Sequence, residues 1–410
     1  MIAIVAVFFP ALAHAQVDGA DAADSGDTAL VIGCALVALG LIVPGIVLHH
    51  GARLRAGAMG ALALQAGAIV AIVSLLWVVA GYTLAFGSVT SGWLGSGNAW
   101  MLGDLGNVRG ISAVPESAFV ALQLGFAVLA AALLTGGWAG RGGTGWAIAF
   151  AGLWSLIVYA PIAHWLWGGG WLAARMGAID LGGGLVMHGA AGMSALVLTL
   201  LIGRRVNHDP DNRTLPPALA LGGTGLVWAA LLALTVGATL VAGDDAATTL
   251  LNMQAAAATG ALTWLIIDGA MSGRADPLAL ARGAMAGLSG ASAAAGAMSA
   301  GGAILAALIA VVVCRAATGL LRRAAIDDAV DVVAVHGIGG LIGAMLAAGV
   351  IAARLGGTGY PAGSDLSHQV IAQVIAIIAV VAWSAIGTAI AALMVAMIVP
   401  MRIGEAEEIS

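Results

Sequence analysis

The chain has 410 residues, of which 61% are hydrophobic and only 9% are charged, whereas charged residues make up about 25% of an ordinary soluble domain. These proportions exclude a soluble globular protein and indicate a single polytopic membrane domain. All 15 basic residues are arginine, the 20 acidic residues bring the net charge to −5, and no basic run is available to neutralise phosphates, so a nucleic-acid partner is excluded as well.

The chain begins with an apolar segment, residues 1–15, which ends in Ala13-His14-Ala15. Small residues at this place are typical of a signal-peptidase site, so the segment is predicted to be a signal peptide, although it lacks a basic start. Residues 16–27 are polar and acidic and are predicted to form an extracytoplasmic N-terminus. A membrane domain over 28–400 and a short cytoplasmic tail over 401–410 complete the predicted organisation.

Eleven apolar segments within the membrane domain are long enough to cross a bilayer as helices. They cover residues 28–49, 58–86, 115–136, 146–167, 181–203, 217–242, 247–270, 281–298, 300–321, 330–352 and 368–400. If the N-terminus lies outside, Arg109, Arg175 and Arg354 fall in outer loops and the other twelve of the 15 arginines fall on the cytoplasmic side. This distribution satisfies the positive-inside rule and predicts a cytoplasmic C-terminus.

The fifth and tenth segments share an HGxxG pattern, which covers residues 188–192 and 336–340. Matched residues at these two places are what two five-helix repeats of opposite orientation would produce. Glycine, with 61 residues, also recurs inside the apolar segments, as is typical of closely packed membrane helices. The sequence therefore predicts an all-α polytopic membrane protein with eleven transmembrane helices, arranged as two inverted five-helix repeats plus one extra helix.

His188 and His336 are the histidines that lie well inside spanning segments within this matched pattern. Ionisable residues in the hydrocarbon region are costly and indicate a functional site. Two neutral imidazoles offer a donor and an acceptor in an apolar path, which suits a small polar molecule or a proton relay. The alternative is a pair of unrelated buried histidines, each bonded to backbone carbonyls.

Three further features bear on the substrate. Asp180 precedes three glycines and His188, so it is expected to cap the fifth helix and can also favour a cation. Trp167 is either an interface anchor or a cation–π face. An amine is protonated at neutral pH, and its charge is expensive to move through hydrocarbon, so the substrate is predicted to be cationic outside and to cross as a neutral molecule.

Several other classes of site are excluded by the residues. Cys34 and Cys314 lie in apolar runs, and no nucleotide loop, covalent-nucleophile motif or zinc motif occurs, so no enzyme activity, metal or cofactor is predicted. The acidic residues Glu116 and Asp268 also lie in apolar segments. For a third, Asp331, a structural partner such as a backbone amide or Arg322 is expected.

The chain resembles the ammonium transporter (Amt/Mep/Rh) family over nearly its whole length. The resemblance is carried by VPG at 43–45, LWVVAGY at 76–82, AFG at 85–87, PIAHWLWGGG at 161–170, GAID at 177–180, and residues 331–340. It implies a homotrimer with one pore per protomer, located in a bacterial-type inner membrane. Ammonium or ammonia, together with the lipid bilayer, would be its partners.

By this resemblance, His188 and His336 occupy the pore-histidine positions, Trp167 and Asp180 the ammonium-recruiting positions, and Phe126 the outer gate. Three positions depart from the family. Leu234 replaces the inner gate phenylalanine, Ala238 replaces a serine that bonds the recruited cation, and Leu122 replaces a further aromatic residue. The tail is also shorter than family tails, which contact a neighbouring protomer and, in many bacteria, a regulator.

These features predict ammonium recruitment at the outer aromatic site, deprotonation, and passage of ammonia between the two histidines. The alternative is an ammonium sensor that binds with little or no transport and signals through the tail to a fused or separate cytoplasmic partner; the changed outer site favours this reading. A channel for carbon dioxide or methylammonium is a third possibility, because pore polarity alone does not choose among small molecules.

Overall fold

The computed structural model describes residues 23–97, 100–106, 108–109, 113–206, 216–274, 276–361, 363–405 and 408. The predicted signal peptide, residues 1–15, lies outside the described residues, as does the first part of the predicted extracytoplasmic segment, 16–27. The last residues of that segment are already helical, because the first helix begins at Ser25. Asp24 caps this helix by accepting a hydrogen bond from the backbone N–H of Asp27 at 2.9 Å.

Eleven helices in the described chain correspond in order to the predicted spans. They are α1 Ser25–Gly51, α2 Gly57–Phe86, α3 Glu116–Trp138, α4 144–166, α5 Gly184–Ile202, α6 Pro217–Gly237, α7 Asp244–Ser272, α8 Pro277–Ser292, α9 Ala300–Arg323, α10 Val333–Val350 and α11 Leu366–Ala396. All except α8 are long and apolar enough to cross a membrane. This architecture confirms the predicted all-α polytopic class.

The eighth helix is displaced from its prediction. It was expected over 281–298 but runs over Pro277–Ser292, which is 16 residues. Asp276 sets the start, because its carboxylate accepts a hydrogen bond from the backbone N–H of Leu278 at 2.9 Å, and Pro277 occupies the first helical position. Nearly every residue of α8 is buried, so this short helix lies inside the bundle.

Two small hairpins and a one-turn helix, Trp171–Ala174, connect helices at one end of the bundle. Strands β1 (Ser88–Val89) and β2 (Gly95–Ser96) pair antiparallel, as do β3 (Val108–Arg109) and β4 (Val114–Pro115). The first hairpin is fastened to the one-turn helix, because the backbone N–H of Trp171 donates to the carbonyl of Gly92. We call this the tryptophan end, defined by Trp167, Trp171 and the β1–β2 hairpin.

The opposite end is held together by arginine. Asp331 accepts hydrogen bonds from Arg53 at 3.1 Å and Arg282 at 2.6 Å. The expected structural role of Asp331 is therefore observed, but with these two arginines in place of Arg322. We call this the arginine end, defined by Arg53, Arg141, Arg205, Arg282 and Arg402.

A second buried carboxylate stabilises the same end. Asp327 contacts Arg205 at 2.8 Å and Arg141 at 3.4 Å. Burial alone would raise the pKa of Asp327, but the hydrogen bond and charge of Arg205 and the charge of Arg141 outweigh it and lower the pKa to about 2. This carboxylate is therefore ionised at neutral pH and holds two connections of the bundle together.

The predicted tail, 401–410, folds back onto the arginine end over its described part. The backbone N–H of Ile403 donates to the carbonyl of Arg141, and Arg402 donates to the carbonyls of Ile202 and Arg204. Glu408 accepts from Arg402 at 2.8 Å and from the backbone N–H of Val206 at 2.6 Å. The tail therefore contacts the connections that follow α3 and α5.

Candidate functional site

The two HGxxG segments meet at the centre of the bundle. His188 and His336 are 0% and 1% exposed, their Nδ1 atoms are 3.0 Å apart, and their rings stack with centroids 5.0 Å apart and 16° between planes. Each lies in a π-helical turn that opens its helix, Gly184–Gly189 in α5 and Val333–Ile338 in α10. Such wide turns are rare and occur often at functional sites.

The last glycine of each HGxxG segment explains how the rings come so close. A Cβ on Gly192 would lie 2.1 Å from the Cα of Gly337, the residue after His336. A Cβ on Gly340 would lie 2.8 Å from the Cβ of His188. Each motif therefore supplies the small residue against which the other motif's histidine turn packs, and a side chain at either place would separate the helices.

The hydrogen bond between the rings defines what the pair presents to a substrate. A neutral imidazole has one N–H and one bare nitrogen, so one Nδ1–H donates to the other ring's bare Nδ1. The accepting ring then carries its proton on Nε2, while the donating ring has a bare Nε2. The pair thus offers one donor and one acceptor. Among the described residues, Nε2 of His188 has no hydrogen-bond partner.

Trp167 and Phe126 lie together toward the tryptophan end. Their ring centroids are 5.0 Å apart at 63°, an edge-to-face contact. Nε1 of Trp167 donates to the backbone carbonyl of Asp180, which fixes the indole. Phe126 is fully buried on α3, so the two rings meet inside the bundle.

Asp180 connects this aromatic pair to the histidines. Its Oδ2 accepts hydrogen bonds from the backbone N–H groups of Leu185 at 2.9 Å and Val186 at 2.8 Å. The carboxylate therefore caps the turn that carries His188, which is the capping role expected from the sequence. It is 4% exposed, and within the described chain its Oδ1 has no hydrogen-bond partner. One oxygen thus holds the backbone, while the other is free to act on a nearby cation.

The three changed positions lie where α3 meets the end of α6. Each leucine packs against a glycine of the other helix. A Cβ on Gly125 would lie 2.7 Å from Cδ2 of Leu234, and a Cβ on Gly237 would lie 2.6 Å from Cδ1 of Leu122. Both leucines are fully buried. Ala238 follows α6 directly, and its N–H donates to the carbonyl of Leu234. The leucines fill this region with aliphatic side chains.

Three further histidines of the described chain, His49, His50 and His164, are buried, and the sequence analysis gave a role to none of them. His49 and His50 end α1 and are 3% and 0% exposed. Nδ1 of His49 lies 2.8 Å from the hydroxyl of Thr224, and Nδ1 of His50 lies 2.9 Å from that of Thr135. Two adjacent histidines at the edge of a predicted spanning segment could have indicated a functional site. Neither His49 nor His50, however, lies in a sequence pattern that is repeated elsewhere in the chain, as the HGxxG pattern is.

The arginine end contains a cavity of about 260 Å³. Its walls include Arg53, Arg141, Arg282 and the carboxylates Asp327 and Asp331. The Arg53–Asp331 ion pair is therefore part of the wall of this cavity. A polar solute that moves from the histidines toward this end would therefore meet arginine and aspartate side chains that form ion pairs.

Comparison with known proteins gives consistent matches. The chain matches the model of the Ammonium Transporter Family over residues 29–410. It is 33% identical over 392 residues to an ammonium transporter of Aquifex aeolicus, covering 94% of this chain and 91% of that protein. The fold is similar to Mep2 of Saccharomyces cerevisiae, with TM-score 0.81, 27% identity and coverage of 93% and 91%. It is also similar to a structure described as a sensor Amt protein, with TM-score 0.86, 26% identity and coverage of 93% and 96%.

Proposed function

Because the chain belongs to the Ammonium Transporter Family and is thus a membrane transporter and not an enzyme, we propose a specific route for ammonium through its described residues. Ammonium is recruited near Trp167, loses its proton, and passes as ammonia between His188 and His336. The observation that carries this proposal is the buried pair of imidazoles with Nδ1 atoms 3.0 Å apart in the bundle.

Recruitment rests on the indole and on the charge behind it. A cation over an aromatic face gains about 0.5 to 2 kcal/mol, and the unpaired oxygen of Asp180 adds negative potential from below. Because Asp180 is buried, it acts on the cation through its field. Phe126, packed on the edge of Trp167, has to move for the substrate to proceed.

Deprotonation follows from the aliphatic region where α3, the helix that carries Phe126, meets the end of α6. The surrounding residues Leu122 and Leu234 are fully buried and aliphatic, so they offer no ligand to a positive charge. A charged group in such surroundings costs at least about 2.5 to 3.5 kcal/mol. Neutral ammonia avoids this cost, and the histidine pair offers it both a donor and an acceptor. The proton can pass along the same hydrogen-bonded pair.

The membrane orientation is part of the proposal. We place the tryptophan end outside and the arginine end in the cytoplasm, in a bacterial-type inner membrane, with an N-terminus processed after residue 15 and the tail inside. The arginine cluster supports this orientation, since arginine is enriched on the cytoplasmic side of membrane proteins. Assembly as a homotrimer belongs to the same proposal.

The direct test uses the full chain in proteoliposomes adsorbed on a supported membrane. After an ammonium pulse, we expect a sustained current that scales with ammonium concentration. A parallel stopped-flow assay of internal pH measures neutral ammonia flux. Transport is supported by either signal above that of empty liposomes, while silence in both assays would contradict it.

A second candidate function is ammonium sensing. The observation that favours it is the aliphatic filling at Leu122 and Leu234, together with Ala238 in place of a hydroxyl. Similarity to the structure described as a sensor Amt protein points the same way. A sensor with a fused or separate cytoplasmic partner would give a brief binding transient in the current assay, without sustained current or neutral flux.

Restoring a hydroxyl at position 238 tests the outer site. We expect A238S to lower the half-saturating ammonium concentration by about three- to tenfold, because a hydroxyl can accept a hydrogen bond from the cation. The dose dependence of the current provides the measurement. A238C is the matched control, since its thiol is a weak acceptor. An equal shift in both variants, or no shift in either, would show that a hydroxyl at position 238 does not contribute to ammonium recognition.

A further inference from the structure

His50 is buried, oriented and incompletely bonded. It is 0% exposed, and its Nδ1 lies 2.9 Å from the hydroxyl of Thr135 on α3. Among the described residues its Nε2 is buried without a hydrogen-bond partner. A buried polar atom left in this state is costly and calls for an explanation. Packing alone does not supply one, since an apolar ring would fill the same volume at no such cost.

The hydrogen bonds of Thr135 determine the tautomer of His50. The Thr135 hydroxyl has one proton and donates it to the carbonyl of Ala132 at 2.7 Å. It therefore accepts from His50, whose Nδ1 must carry the proton. The Nε2 of a neutral His50 is consequently a bare acceptor, ready for an N–H donor.

His50 also lies close to the histidine pair. His50 lies at the end of α1, three residues before Arg53, and His336 lies near the start of α10, five residues after Asp331, while Arg53 and Asp331 are 3.1 Å apart. Both histidines therefore lie within five residues of the same ion pair. His336 and His50 are near enough to interact electrostatically.

A packing contact links the two rings laterally. Thr135, whose hydroxyl is bonded to His50, is followed by Gly136. A Cβ on Gly136 would lie 2.5 Å from Cγ2 of Val332, the residue just before α10. Val332 is one helical turn before His336. The α3 residue that orients His50 is therefore next to the segment that carries His336. Arg53, three residues after His50, lines the arginine-end cavity.

We propose that His50 is a third histidine of the conduction path, with its bare Nε2 accepting a hydrogen bond from ammonia that leaves the His188–His336 pair toward the arginine end. This inference rests on the proposed transport function and extends it to a residue outside the matched repeat. Ammonia suits the site because it has three N–H donors. Without His50, ammonia would lose a hydrogen bond before reaching the polar wall of the cavity.

Two amide substitutions separate this role from a structural one. Asparagine places its amide near the position of Nδ1 and can keep the contact with Thr135, whereas glutamine reaches the position of Nε2. We expect H50N to lower the sustained ammonium current about tenfold, the effect of one buried hydrogen bond. H50Q should remain within about threefold of the unchanged chain. Both are measured as the full chain in proteoliposomes, with ammonium chloride as the probe and protein content and melting temperature matched.

The outcomes are distinct. A current lowered in H50N and rescued in H50Q supports the proposal. Unchanged current in H50N, or equal losses in both variants, overturns the role of His50 while leaving transport intact. Absence of current and neutral flux in the unchanged chain would overturn the transport function and this inference together.

Discussion

Replacement of His188 or His336 by alanine is expected to lower the sustained ammonium current at least about a hundredfold. Either change removes the ring-to-ring hydrogen bond of 3.0 Å and leaves the remaining imidazole without its partner. The substrate then loses the hydrogen bond to the removed ring, and the remaining ring, no longer held by its partner, loses the fixed Nε2 position that supplied the second hydrogen bond, about 3 kcal/mol in all, which corresponds to about two orders of magnitude. The measurement is current after an ammonium pulse.

The two rings act as one unit, so their effects are not expected to add. The double alanine variant should be no worse than either single variant within about threefold. H368A is the matched control, because His368 is an exposed histidine bonded to Ser364 at the surface, and its current should be unchanged. Near-normal current in H188A or H336A would remove the pair from the conduction path.

The largest loss of stability is expected from D331N. Asp331 accepts from Arg53 and Arg282, and the side chains of all three are at most 11% exposed. Removing the charge leaves two buried guanidinium groups without their counterion, which costs about 3 to 5 kcal/mol. Asparagine is a fair replacement sterically, because Asp331 has φ +60° and asparagine tolerates this left-handed conformation. The free energy of unfolding in detergent micelles provides the measurement.

The control for D331N is D365N. Asp365 is an exposed cap that accepts from the backbone N–H of His368 at 2.8 Å at the start of α11. Asparagine is an equally good cap, so a change below about 0.5 kcal/mol is expected. If D331N were as mild as D365N, the ion pairs of the arginine end would not stabilise the bundle.

The helices could be predicted because the bilayer imposes a length on them. Runs of about 20 apolar residues are readable without knowledge of their neighbours. The eighth helix shows the limit of this reasoning. Residues 281–298 are mostly alanine and glycine, and this composition continues past Ser292, where the helix ends. The start of the helix depends on the cap formed by Asp276.

The shared HGxxG pattern was enough to single out His188 and His336, because repeated sequence implies equivalent positions. It did not reveal that Gly192 packs on Gly337 and Gly340 on the turn of His188. That reciprocal arrangement depends on how two helices cross. Asp331 shows the same limit, since its need for a partner was predictable, but Arg53 and Arg282 come from distant parts of the chain.

The sequence by itself determined the membrane class, the eleven helices, the family resemblance and the candidate pore pair, because these depend on composition, segment length and repeated local pattern. Only the tertiary structure decided the distance between the imidazoles, the partners of the buried charges, and the place of His50. Those properties arise where helices from separate parts of the chain meet. The bare nitrogen of His50 follows from a hydroxyl 85 residues away on α3, and no local pattern records such a contact.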